Sequence, residues 1–131
     1  MFVAVPLMII PFILYNVVIL GPGVAAFSAT LVAVPMLSGA IWTVTLGDLL
    51  VVAALIVLFV EMLKSTVSSR YSLLNHMLSM LVFIAFLVEF LLVRDGATQL
   101  FFSLMIIALI DVVAGFTISN RTAARDVSIG L

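Results

Sequence analysis

Five ionisable side chains lie inside or at the ends of long apolar runs: Asp48, Glu61, His76, Glu89 and Asp111. A charged group at the centre of a membrane helix costs roughly 2.5–3.5 kcal/mol on insertion scales, so each of these must face protein, water or a partner. Asp111 is the most demanding, because Ile, Leu and Val surround it past the middle of its run. When the apolar runs are laid side by side as antiparallel helices, Glu61, His76 and Asp111 come to the same depth, where His76 could neutralise either carboxylate. The plain reading is a protonated or His-paired packing residue, since a neutral carboxylic acid can donate a hydrogen bond to a neighbouring helix. The functional reading is a proton or ion relay.

The remaining groups have local explanations. Asp48 follows Thr45 at a helix start, where either side chain can accept from free N–H groups. Glu61 precedes Lys64 by three residues, a spacing that allows an ion pair along one helix while the ammonium snorkels outward. Asn75, Ser79, Val82, Phe86 and Glu89 share a face: fourteen residues separate Asn75 from Glu89, about 40° of rotation on a straight helix. That stripe is predicted to face the bundle. Asp111-x-x-x-Gly115 and Gly115-x-x-x-Ser119 supply a small-residue groove for close helix contact. Trp42 suits a headgroup-level anchor, its indole combining an apolar body with one donor.

Much chemistry is excluded. The chain has no cysteine and one histidine, so a disulfide, an iron–sulfur cluster, a bis-His haem or a multi-His metal site cannot be built within one copy. No cofactor and no metal are expected. Gly-rich phosphate loops, HExxH and GxSxG are absent, so no enzymatic activity is expected. A net charge of -1 without any basic run gives no surface for nucleic acid.

The elements that position these residues follow from composition. The 131 residues are 66% hydrophobic and only 8% charged, with a mean hydropathy of +1.51, whereas soluble domains are about half apolar and a quarter charged. Lipid is the solvent that such a chain fits. Its apolar runs approach the ~20 residues needed to cross ~30 Å of hydrocarbon as helices, and no segment alternates as a membrane barrel strand does. The fold expected is a single all-α polytopic bundle with spans at 2–20, 47–64, 72–93 and 97–119. No Lys or Arg precedes Lys64, which argues against a cleaved leader.

Residues 24–45 are apolar enough to cross but contain Ser28, Thr30, Pro35, Ser38, Gly39 and Thr43, and leave almost no loop before the next helix. They are expected to be re-entrant or interfacial, with a fifth span as the alternative. Gly21-Pro22-Gly23 separates them from the first helix. Lys64, Arg70, Arg121 and Arg125 fall on one side of the spans and Arg94 on the other, which places the C-terminus in the cytoplasm, at a plasma or inner membrane. The function expected is a structural or accessory subunit that meets lipid and other membrane subunits, or itself. The alternative is an oligomeric proton- or ion-coupled transporter or channel using the intramembrane carboxylates.

Overall fold

The computed structural model describes the backbone of residues 6–66 and 71–128, and the side chains of 6–66 and 74–118. Four α-helices form a bundle: α1 (Ile9–Leu20), α2 (Leu46–Ser65), α3 (Tyr71–Leu92) and α4 (Gln99–Ser128). Three of them contain stretches long and apolar enough to cross a membrane, at Leu46–Ser65, Leu74–Leu92 and Gln99–Ile118. Twelve residues make α1 about 18 Å long at ~1.5 Å per residue, short of a ~30 Å core. The first span was expected over 2–20; a turn through Pro6 and Leu7 leads into the helix, and residues 2–5 lie outside those described.

Residues 24–45 form no helix long enough to cross. Val24–Ser28 is a single 3-10 turn, followed by strands β1 (Thr30–Pro35) and β2 (Ile41–Thr45), paired antiparallel in a two-stranded hairpin. This adds a β element to a chain expected to be wholly helical. Its cause is local: Val32, Val34, Ile41, Trp42, Thr43 and Val44 are strand formers, and Ser38-Gly39 supplies a turn between them.

The start of α2 follows from its capping residues. Thr45 accepts from the Asp48 N–H while the Asp48 carboxylate accepts from the Thr45 N–H, a reciprocal capping box. Between α3 and α4, a 3-10 turn at Arg94–Gly96 reverses the chain. Only glycine fits at its end, because a Cβ on Gly96 would lie 2.8 Å from the Glu89 carbonyl oxygen. Thr98 then accepts from the Phe101 N–H at 3.1 Å and caps α4.

Helix α4 continues to Ser128, beyond the expected end at residue 119. Residues 119–128 contain neither Gly nor Pro, so loss of hydrophobicity ends the apolar span without ending the helix. It is also the central element, packing along both α2 and α3. The core it organises is aromatic: Tyr15, Phe86 and Phe101 are fully buried, with Phe101 4.6 Å from Tyr15 and 5.2 Å from Phe86 between ring centroids. Phe12 meets Phe86 edge-on at 5.0 Å, and Phe27 stacks on Tyr15 at 4.7 Å.

Candidate functional site

The predicted stripe on α3 is inward along its whole length, with Asn75, Ser79, Val82, Phe86 and Glu89 all buried. Its polar members are divided. Asn75 and Ser79 join one polar group at the Lys64 end of the bundle, Glu89 joins another at the hairpin end, and Val82 and Phe86 lie between them.

At the Lys64 end, Glu61 is 1% exposed and its Oε1 accepts two hydrogen bonds, from the Leu7 N–H at 2.8 Å and from Lys64 Nζ at 3.0 Å. The ion pair expected from the i,i+3 spacing is therefore present, and a main-chain donor from the start of the chain joins it. Lys64 Nζ also approaches Asn75 Oδ1 at 3.5 Å, tying α2 to α3. The Ser65 hydroxyl donates to the Glu61 carbonyl, one turn back.

Asp111 of α4 is 4% exposed and reaches the same region. Its side chain lies near Ser79 and within electrostatic range of Glu61 and Lys64, while Oδ2 is buried with no hydrogen-bond partner among the described residues. His76, expected to neutralise Asp111 or Glu61, lies within electrostatic range of Glu61. Its ring packs over Gly115 and meets Phe116 edge-on at 6.2 Å. There it heads an open, apolar groove of about 610 Å³ between α3 and α4, lined also by Met80, Leu81, Val113 and Phe116.

Gly115 explains how three helices converge here. A Cβ at that position would come within 3.0 Å of Ser65 Oγ and 3.1 Å of His76 Cε1, so the missing side chain admits α2 and α3 together. The side chain of Ser119, its partner in the small-residue motif, lies outside the described residues, as do those of Arg70, Arg121 and Arg125.

At the hairpin end, Glu89 is 8% exposed and lies near Asn16 of α1, whose side-chain amide donates to the Phe12 carbonyl at 2.8 Å, and its Oε2 is buried and unpartnered among the described residues. Beside it the Tyr15 hydroxyl donates to the Asp95 carbonyl at 2.6 Å and lies 2.8 Å from Thr98 Oγ1. Sequence reasoning missed Tyr15, Asn16 and Thr98. The available signal was two adjacent polar groups, Tyr15 and Asn16, in an otherwise apolar helix, and it was weak because both tolerate a membrane interface.

Phe12, Phe86, Phe101 and Leu104 fill the bundle between the two ends and join no polar atom to another. One chain thus holds two polar groups separated by an aromatic layer, each with one carboxyl oxygen able to accept a further hydrogen bond or ion. Among the described residues no three His, Asp or Glu side chains converge to hold a metal ion. Asp48 serves the α2 cap, and Trp42 stands 55% exposed on β2.

No family model, curated protein sequence or solved structure matches the chain. The functional reading therefore rests on the geometry.

Proposed function

We propose that the chain is a small, non-enzymatic integral membrane protein that serves as a structural or accessory subunit of a larger membrane assembly. The observation that carries this reading is the hairpin: every β1 side chain is exposed, as are Ile41, Trp42 and Thr43 of β2. Both faces of this hairpin are apolar, and residues 1–47 contain no charged side chain. An isolated two-stranded ribbon is at best marginally stable in water, so one with this surface fits a place against another protein. The buried polar groups suit this role, because they fix helix contacts in a chain with little loop structure to do so.

In this reading Lys64, Arg70, Arg121 and Arg125 mark the cytoplasmic side of a plasma or inner membrane, with the C-terminus there and the hairpin and Arg94 opposite. Purification of the tagged chain from native membranes in mild detergent tests it. Other membrane proteins in stoichiometric amount are the expected result, and recovery of the chain alone is the contrary one.

A second reading is favoured by Asp111, whose buried Oδ2, beside Glu61 and Lys64, lacks a partner among the described residues. A proton- or ion-coupled path would use that group. Because the aromatic layer interrupts the polar residues within one bundle, such a path would run between copies. Asp111→Asn then alters flux in proteoliposomes, whereas wild-type vesicles no leakier than empty ones across several ions would dismiss it.

A further inference from the structure

The two edges of the hairpin differ chemically. Met36 N–H donates to the Ala40 carbonyl at 2.7 Å and Leu46 N–H to the Ala29 carbonyl at 3.3 Å, which sets the alternation along β2. Ala40, Trp42, Val44 and Leu46 turn their main chain toward β1; Ile41, Thr43 and Thr45 turn theirs outward. The Thr45 N–H is already taken by the Asp48 carboxylate. What remains without a partner among the described residues on the outer edge of β2 is the N–H and C=O of Ile41 and of Thr43. On β1 the corresponding outward positions are Pro35, which has no N–H, and Ala33, and the strand is irregular just beyond, between Thr30 and Val32. Proline and a bulge are the usual ways in which an edge is blunted. The edge of β2 carries neither, nor any charge.

Lipid does not satisfy this edge, because hydrocarbon offers no partner for free N–H and C=O groups. Water does, but it leaves Val34, Ile41 and Trp42 exposed around it. A second β-strand answers both requirements at once. We propose that β2 pairs antiparallel with β2 of a second copy, making a four-stranded sheet across a two-fold axis. This deepens, and rests on, the reading of the hairpin as a contact surface. A second copy fits for two reasons: an antiparallel pair of identical strands is self-complementary, and an uncharged strand meets its own copy without repulsion.

The free groups also fix the register. With Trp42 on the axis, Ile41 of each copy faces Thr43 of the other, and all four free main-chain groups on each strand are paired. Placing Thr43 on the axis would instead demand the Thr45 N–H that the helix cap uses. In the Trp42 register the two position-42 Cα atoms form a non-hydrogen-bonded pair, ~4.5 Å apart and within disulfide range. Two position-43 Cα atoms lie two residues out of register, about 8 Å apart and beyond that range.

Because the chain has no cysteine, single substitutions report on this directly. Trp42→Cys, oxidised with copper phenanthroline in the membranes where the full chain was made, is expected to give a reductant-sensitive dimer. Thr43→Cys and Val34→Cys are expected to give no disulfide-linked dimer. Equal cross-linking at all three positions, or none at position 42 in an inserted chain, overturns the proposal. Counting subunits by photobleaching in nanodiscs avoids relying on a variant without Trp42. Two copies are expected for the wild type and for Ala33→Pro, whose proline lies on the β1 edge, and one copy for Thr43→Pro. A single wild-type copy, or a dimeric Thr43→Pro, is the overturning result. The accessory reading fails separately: unrelated partners without the position-42 disulfide leave it standing and remove the strand pairing, and the disulfide without partners does the reverse.

Discussion

At the level of single residues, Glu61 is a junction, since its Oε1 joins the start of the chain, α2 and, through Lys64, α3. Replacing it with Gln removes the carboxylate that the Lys64 ammonium, only 15% exposed, meets at 3.0 Å. Breaking one side of a buried pair costs about 3 kcal/mol, so Glu61→Gln should lower the thermal unfolding midpoint in detergent clearly, and Glu61→Gln with Lys64→Gln should recover part of the loss. A double variant no more stable than the single one would show that the pair is not the source. Tyr15→Phe should cost about 1 kcal/mol by the same measurement, because it frees the Asp95 carbonyl that the hydroxyl now satisfies. The i,i+3 pair and the inward stripe from Asn75 to Glu89 were legible in the sequence because helix geometry alone fixes them. The side of α3 that meets Asp111 was not, since depth places residues at one level without saying around which side of a helix they point.

At the scale of elements, the helix boundaries were legible where a residue type enforces them: Gly21-Pro22-Gly23 after α1, the Thr45–Asp48 box before α2, and the Arg94–Gly96 turn before α4. The far end of α4 was not, because polarity marks the edge of a membrane and says little about the end of a helix. The hairpin was hidden for a related reason. Its apolar residues read as a membrane segment by composition, and only their β-branching and the Ser38-Gly39 turn distinguish a strand pair from a poor helix. Close approach between elements yields its own prediction. Gly115→Leu should cost 1–3 kcal/mol or more by overpacking Ser65 and His76, read as a lower unfolding midpoint. Gly96→Ala should be worse tolerated than Gly115→Ala, because the atom in its way at 2.8 Å is a main-chain oxygen that cannot swing aside. Equal midpoints for those two alanine variants would contradict this account of the turn.

For the whole molecule, the apolar composition and three helices long enough to cross describe a membrane protein, and the hairpin gives it a surface that its own bundle does not cover. The proposed sidedness has its own test: a cysteine introduced at Leu37, at the hairpin tip, should react with an impermeant maleimide added from outside intact cells, and one at Ser128 only after the membrane is opened. The reverse pattern would invert the orientation. Membership of a larger assembly is the central claim, and the mass of the particle in native membrane discs tests it most directly. The account predicts particles heavier than small multiples of the 14.1 kDa chain, containing other membrane proteins that stay bound when the chain is captured. Particles containing nothing but copies of this chain would contradict it.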